Sequence, residues 1–232
     1  MFDRVSIINL DRRPDRWLQI RANLEAIDWP LPEPDRISAH DGRQSPPPDW
    51  FRHTPGAWGC LVSHLKVCSQ AIRDGVNSVL IIEDDAHFPI DFADRLGPFL
   101  AAVPDDWEAI YLGGYHFLEA GDPVPVDDQV LRGRCVLGTW AYALRGRAIR
   151  ALGRAIEQAP RLAAEELFGV DRLWGRLHLD GIVRVYTPWR WLVHHGGGRS
   201  DTNGRHYLAH DFNMPAEVTD RLRAQLPQEV LV

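Results

Sequence analysis

Several things are scarce in this chain of 232 residues, and each scarcity removes a class of protein. Cysteine occurs three times, at Cys60, Cys68 and Cys135, with no CxxC pair and no even set. That argues against a disulfide-stapled domain or a zinc ribbon and for a reducing compartment, with the thiols expected in the core. Long apolar runs are missing as well. No stretch reaches the roughly 18–20 apolar residues of a membrane-spanning helix, and the opening MFDRVSIINLDRR lacks the apolar region of a secretory signal. The expected address is the cytoplasm, with peripheral contact at the inner face of a membrane left open. Positive charge is in deficit, 26 basic against 32 acidic residues giving −6 and a pI near 5.9, which argues against an electrostatic grip on nucleic acid. Lys66 is the one lysine among those 26 basic residues. Arginine forks suit phosphates and carboxylates, although genomic composition accounts for most of such a bias.

What is present is an ordinary globular composition, 45% hydrophobic and 25% charged, enough for a core in a single domain. Val5, Ile7, Ile8 and Leu10 form a short apolar run that predicts a strand. A helix should follow, with Asp11 as N-cap, Pro14 in the first turn and Trp17, Ile20, Leu24 and Ile27 at helical spacing. An extended piece at 36–39 and a proline loop at Pro46-Pro47-Pro48 lead to a second helix from Trp58 to Ile72, stopped by Gly75. Ser78 to Ile82 is the most apolar strand and runs into Glu83-Asp84-Asp85. A strand over Trp107 to Leu112 should end at Gly113-Gly114, and strands near 136–144 and 182–186 with a helix near 148–156 continue the series. Strand alternating with helix predicts α/β architecture, a mostly parallel sheet flanked by helices, without internal repeats.

The segment VLIIEDDA carries the strongest chemical signal. Its apolar residues bury a strand, and three carboxylates then emerge at the carboxyl edge of the sheet, where open α/β sheets bind ligands. Strand periodicity sends Glu83 and Asp85 to one side and Asp84 to the other. Such a cluster needs protons, hydrogen bonds or a cation, and hard oxygen ligands suit Mg²⁺ or Mn²⁺. An acidic turn that caps the next helix is an equally economical reading of the tripeptide alone. Near the first strand end, Asn9, Asp11, Arg12, Arg13, Asp15 and Arg16 either cradle a diphosphate at a helix N-terminus or pair among themselves on a solvated first turn. Ser63 and His64 follow Cys60 on the second helix. Adjacent helical residues point about 100° apart, so they are not a nucleophile and its base.

In combination, the segments 8–16, Ala39-His40-Asp41-Gly42, Gly59-Cys60 with Ser63-His64, Leu80 to Asp85, and Asp106-Trp107 with Tyr111-Leu112-Gly113 resemble glycosyltransferase family 25. The resemblance is dense from residue 3 to about residue 114 and looser beyond. It implies a single GT-A type (Rossmann-like) domain over residues 1–202, with a C-terminal tail at 203–232 that it does not explain. It also implies a nucleotide-sugar donor, usually a UDP-hexose, with Mn²⁺ or Mg²⁺ as cofactor, and inverting transfer of galactose or glucose to a hydroxyl acceptor, a lipopolysaccharide or lipooligosaccharide saccharide or another glycoconjugate. By position, Glu83 and Asp85 are metal ligands and Asp84 belongs to both donor binding and catalysis. Asn9, Asp11, Arg13, Arg16, Asp41, Gly42, Ser63 and His64 fall on the donor side. Asp171, in Gly169 to Trp174, is the candidate base, with helix capping as its competing role. The chain departs from the family pattern at His194-His195, where relatives commonly carry a glutamine, and either imidazole could close the metal site. The competing classes are a metal-dependent phosphohydrolase, disfavoured because the acidic motif is on the third strand and Lys66 stands alone, a non-catalytic saccharide-binding protein of the same fold, and a transferase acting on protein hydroxyls.

Overall fold

The run at the start of the chain forms β1 (Arg4–Asn9), and the chain returns through α1 (Pro14–Ala26) to β2 (Asp35–Ser38), paired parallel with β1. Pro14 sits at the first helical position, where its fixed φ suits the helix and its missing N–H removes no bond. The N-cap is Arg13, not Asp11, whose carboxylate instead accepts hydrogen bonds from Arg36 and Ser38 across the turn. Thr54 caps α2 (Pro55–Arg73) by accepting the Ala57 amide hydrogen, and β3 (Ser78–Glu83) then pairs parallel with β1. The computed structural model describes residues 2–158 and 169–227, so positions 228–232 of the expected tail lie outside the described residues.

Next come the short β4 (Ala86–His87), α3 (Phe92–Ala102), β5 (Ala109–His116), the hairpin of β6 (Val124–Pro125) and β7 (Val130–Arg132), and the long β8 (Val136–Arg145). Helices α4 (Ala148–Gln158) and α5 (Val170–Leu179) precede β9 (Val185–Pro188). All of these strands except β4 form one eight-stranded sheet in the order β2-β1-β3-β8-β5-β9-β7-β6. Parallel pairing holds in β2-β1-β3 and β5-β9, while β8 runs antiparallel between β3 and β5 and the β6-β7 hairpin extends the edge beyond β9. β5 continues through Gly113-Gly114 instead of ending there. A Cβ on Gly113 would lie 2.7 Å from the Val193 carbonyl oxygen and one on Gly114 2.8 Å from that of Leu137, so these glycines admit neighbouring backbones to a shifted register.

The helices cover both faces, and β3 shows the division. Val79 and Ile81 join a core with Leu61 and Val67 of α2, Leu152 of α4 and Trp174 of α5. Leu80 and Ile82 join the opposite core with Ile20 and Leu24 of α1 and Phe92 and Phe99 of α3. All four β3 residues are fully buried, each contributing about 1.5–3 kcal/mol of hydrophobic stabilisation. Past β9, β10 (His194–His195) pairs with β4 and β11 (Gly198–Arg199) with β12 (His206–Tyr207). Within the segment set apart as a tail, α6 (Ala216–Arg223) packs Val218 and Leu222 against Leu131 and Trp189. No helix of the described residues is long and apolar enough to cross a membrane.

The start of α2 presses against the loop that follows β2. A Cβ on Gly59 would meet the His40 carbonyl oxygen at 2.5 Å and the Gly42 nitrogen at 2.9 Å, both backbone atoms. Gly59→Ala should therefore destabilise the protein by about 1–3 kcal/mol through backbone displacement. Gly153→Ala, inside α4 and with only ordinary contact to Leu65, should stabilise it by roughly 0.5–1 kcal/mol. Urea unfolding of the two variants checks the contrast in sign.

Candidate functional site

The carboxyl ends of β1 and β3 lie side by side, so Asn9 and Glu83-Asp84-Asp85 share one edge of the sheet. Asn9, 1% exposed, donates from Nδ2 to Asp84 Oδ2 at 2.7 Å and to the Arg13 carbonyl at 3.0 Å. Its Oδ1 accepts from Arg36 Nη2 at 2.7 Å and Nε at 3.0 Å. Arg16, from the first turn of α1, donates through Nη1 to Asp84 Oδ1 at 2.9 Å and Asp85 Oδ2 at 3.0 Å, and through Nη2 to the Arg199 carbonyl at 2.8 Å. A buried guanidinium thus holds two carboxylates and one of the late strands together.

The expected side-to-side alternation of the acidic tripeptide fails, because β3 ends at Glu83 and Asp84-Asp85 form the turn into β4. Asp84 and Asp85 both turn to Arg16. Glu83 turns instead to α2 and β8, where its Oε1 accepts from Thr139 Oγ1 and lies 3.1 Å from His64 Nε2. His64 is fully buried, its Nδ1 2.8 Å from Tyr142 Oη, which also accepts the Trp174 indole N–H at 3.2 Å. Of the paired histidines, His195 reaches the site, its Nε2 3.6 Å from Asp85 Oδ2 and its Nδ1 accepting the Gly197 amide hydrogen at 3.1 Å. His194 has Asp211, Arg95, His87 and Asp91 as its charged neighbours instead. Successive strand residues face opposite ways, which the sequence pair alone does not resolve.

Electrostatics divides the two aspartates. Burial, followed by the negative charge of Asp85, pushes the Asp84 pKa up to about 6. Burial acts on Asp85 in the same direction, but its hydrogen bond to His195 and the charge of Arg16 outweigh it and hold the pKa below the ordinary carboxylate value. For His195, burial opposes the charged form, and Asp85 reverses this to raise its pKa. Asp85 Oδ1 is buried with no hydrogen-bond partner among the described residues.

The remaining arginines at the helix start are paired. Arg12 donates to Asp41 at 2.8 Å and Asp201 at 2.7 Å, and Arg13 donates to Asp15 and Asp201. Arg12, Asp41 and Asp201, with Gly42, Asp84 and Cys60, border a cavity of about 80 Å³. Gly42 is a glycine for a steric reason, since a Cβ there would stand 1.7 Å from the Pro55 carbonyl oxygen. Ser63 borders the cavity too, but its hydroxyl donates to the Gly59 carbonyl at 2.6 Å and accepts the His40 amide at 2.8 Å, so it pins the loop to α2. Asp11 is exposed and paired with Arg36, and it does not border this cavity.

Asp171 is on the first turn of α5, whose N-cap is Gly169, so the competing capping role is not the one it plays. Its Oδ1 accepts the Arg172 amide hydrogen at 2.8 Å, and it also accepts a backbone hydrogen bond from Gly138, the neighbour of the Thr139 that holds Glu83. Burial raises its pKa, so this carboxyl is a better proton acceptor than an exposed aspartate. It borders a second cleft with Tyr115, Arg172 and Tyr207. No local pattern marks Thr139, and Asp201 lies in the glycine-rich stretch that follows His194-His195.

The sequence profile described as glycosyltransferase family 25 (LPS biosynthesis protein) matches residues 2–119, which hold Asn9, the three helix-start arginines and both strand-end aspartates. The chain belongs to this family. Inactive glycosyltransferase 25 family member 3 of Homo sapiens is 31% identical over 180 residues, covering 65% of this chain and 28% of its own length. Procollagen galactosyltransferase 1 of Danio rerio is 30% identical over 129 residues, 48% of this chain and 21% of its own. Procollagen galactosyltransferase 2 of Mus musculus is 27% identical over 185 residues, 72% and 28% respectively. The chain therefore spans about a quarter of the length of these relatives. Among solved structures, a glycosyltransferase involved in the glycosylation of the major capsid of PBCV-1 aligns over 95% of this chain and 99% of that one, with TM-score 0.49 and 8% identity.

Asp84 gives a stability prediction with a definite sign. Its folded-state pKa of about 6 exceeds the ordinary 3.8, so its contribution is fully present below about pH 4 and is lost as pH rises through 6. Asp84→Asn should therefore stabilise the cation-free protein near pH 8 by up to about 3 kcal/mol and change little near pH 4. Urea midpoints at the two pH values measure this, and a pH-independent difference would contradict it.

Proposed function

We propose that the chain is an inverting, metal-dependent hexosyltransferase that moves galactose or glucose from a UDP-sugar to a hydroxyl of a lipopolysaccharide, lipooligosaccharide or related glycan, in the cytoplasm or at the inner face of a membrane. The observation that carries this reading is the Asp84–Asp85–His195 group at the sheet edge, facing arginines on one side and joined through Glu83, Thr139 and Gly138 to Asp171 on the other.

Asp84, Asp85 and His195 offer two hard oxygen ligands and one imidazole, a donor set that fits Mn²⁺ or Mg²⁺, and Asp85 Oδ1 is a buried acceptor without a partner among the described residues. The ion, when bound, supplies positive charge against the departing diphosphate. Before it arrives, Arg16 keeps the two carboxylates from repelling each other. Asn9 fixes Asp84 through its side-chain amide. Arg12 and Arg13 take the donor phosphates in exchange for Asp201, while Asp11, Asp41 and Gly42 line the nucleoside side. Ser63 and His64 act from behind, by holding the 40–42 loop and Glu83. Asp171 accepts the proton of the acceptor hydroxyl as that oxygen bonds to the sugar carbon. On the opposite face the carbon–diphosphate bond breaks and its electron pair leaves with the diphosphate, which inverts the centre.

Two observations support a second reading, a non-catalytic nucleotide-sugar or saccharide binder: Arg12 and Arg13 are already paired with Asp201, and several relatives are named inactive or probable inactive. The procollagen relatives make a protein hydroxyl the alternative acceptor.

A nucleotide-release screen over UDP-, GDP- and CMP-sugars with Mn²⁺ tests the proposal. Turnover of a UDP-hexose should be lost with EDTA and with Asp85→Ala, and turnover that ignores both would remove the metal from the mechanism. Asp171→Asn should lower transfer by about 10²–10⁴-fold, the usual worth of a general base, with donor affinity nearly unchanged. Because burial raises the Asp171 pKa, wild-type kcat should fall on acidification through a value above the ordinary carboxylate range. Absence of both turnover and binding for every nucleotide sugar would overturn the proposal.

A further inference from the structure

One cluster beside the cavity has no part in the chemistry above except to anchor Glu83. Cys60, His64 and Glu83 each present one ligand atom, thiol sulfur, ring nitrogen and carboxylate oxygen, and these atoms all lie within 4.8 Å of one another. Cys60 and His64 are four residues apart on α2, so they share a helix face, and Glu83 ends the strand beneath that face. We propose that these three residues form a second cation site, separate from Asp84, Asp85 and His195, that takes a thiophilic divalent ion, Zn²⁺, in preference to Mg²⁺ or Mn²⁺.

Geometry, supporting contacts and access all favour it. Around a tetrahedral Zn²⁺ with bonds of about 2.0–2.3 Å, ligand atoms stand roughly 3.5 Å apart, so the cluster needs only small side-chain movements to close. His64 Nε2 and Glu83 Oε1 are already 3.1 Å apart. The second layer of contacts is in place, with Tyr142 Oη on the other ring nitrogen of His64 and Thr139 Oγ1 on Glu83. All three ligand residues border the cavity, which gives the ion an entry path. The two acidic sites share no partner: Glu83 bonds to His64 and Thr139, Asp84 to Asn9 and Arg16, and Asp85 to Arg16 and His195. A soft sulfur ligand sets the preference, since thiolate favours zinc over the oxygen-seeking Mg²⁺ and Mn²⁺.

Zinc binding would release one proton. Without metal, His64 has Tyr142 Oη on Nδ1 and Glu83 on Nε2, and Tyr142 Oη also accepts the Trp174 N–H. On binding, the Cys60 thiol proton leaves to solvent and bonds form from zinc to sulfur, nitrogen and oxygen without any redox change. With zinc on Nε2, His64 would carry its proton on Nδ1, facing a lone pair of Tyr142 Oη, whose own hydrogen would turn away from the ring. An ion here adds positive charge to the floor of the arginine-lined cavity.

Binding of Co²⁺ and Zn²⁺ to the full chain tests this without reference to transfer activity. Co²⁺ should produce one equivalent of a thiolate-to-cobalt charge-transfer band that Zn²⁺ displaces and excess Mg²⁺ does not. Cys60→Ser should abolish the band and weaken Zn²⁺ at least 10-fold, Tyr142→Phe should weaken it about 10-fold through the lost outer contact, and Asp85→Asn should leave it unchanged. Circular dichroism and melting confirm that each variant is folded. A missing band, a band that survives Cys60→Ser, displacement by Mg²⁺ as readily as by Zn²⁺, or loss of binding in Asp85→Asn would each overturn the proposal.

Discussion

The ion pairing of Arg16 with Asp84 and Asp85 is the interaction on which the site depends. The guanidinium is 8% exposed and reaches both carboxylates and a late backbone carbonyl, so it joins α1, the end of β3 and β11 in one contact. Burying charges costs several kcal/mol per ion, and the arrangement is tolerable only because nearly every polar atom is matched. Asn9 takes one oxygen of Asp84, and His195 adds a second partner for Asp85. Removal of Arg16 would leave two adjacent buried carboxylates with no cation between them. A positive charge is therefore part of the fold at the place where the proposed metal acts, and the whole-chain charge of −6 says little about the local potential.

The other arginines follow different energetics. Arg12 and Arg13 pair with Asp201 through side chains that retain 18–32% exposure. Partly exposed pairs of this kind contribute about 0–1 kcal/mol each, and a diphosphate offers the same forks more negative charge than one carboxylate. Arg16 is sealed and Arg12 and Arg13 are exchangeable. The first belongs to the structure of the site, and under the proposed function the other two would exchange Asp201 for the donor diphosphate. The 200–202 loop is thus held by contacts that an anionic donor can replace, with Thr54 and the close approach of Gly56 to Asp201 and Thr202 retaining its backbone.

Much of the fold was legible because two periodicities were unbroken. The Ser78 to Ile82 run, the α2 stripe through Leu61, Leu65 and Cys68, and the emergence of carboxylates at a strand end all follow from apolar spacing. Illegible features share a physical cause, dependence on where the chain leaves its period or on partners far away in sequence. The strand ends at Glu83, two residues too early for alternation to place Asp85, and Gly113-Gly114 permit a close approach where a strand end was expected. The Arg12–Asp201 contact spans 189 residues and Glu83–Thr139 spans 56, separations that no local pattern encodes. Cysteine count and spacing pointed to core thiols, which holds for the buried Cys68 and Cys135, while half-buried Cys60 borders the cavity.

The break in period after Glu83 has a chemical result. Had the strand continued, Glu83 and Asp85 would share one face and repel one another. Ending the strand between Glu83 and Asp84 sends Glu83 to an imidazole and a hydroxyl on the α2 side and leaves Asp84 and Asp85 to a guanidinium, an amide and a second imidazole. Each side then has its own compensation; of the two aspartates, Asp84, which lacks an imidazole partner and stands beside Asp85, has the raised pKa, while Asp85 is held below the ordinary carboxylate value. The split also separates ligand chemistry. A thiol accompanies Glu83, whereas oxygens and an imidazole accompany the aspartates, so two cations of different softness can be told apart across a single peptide bond.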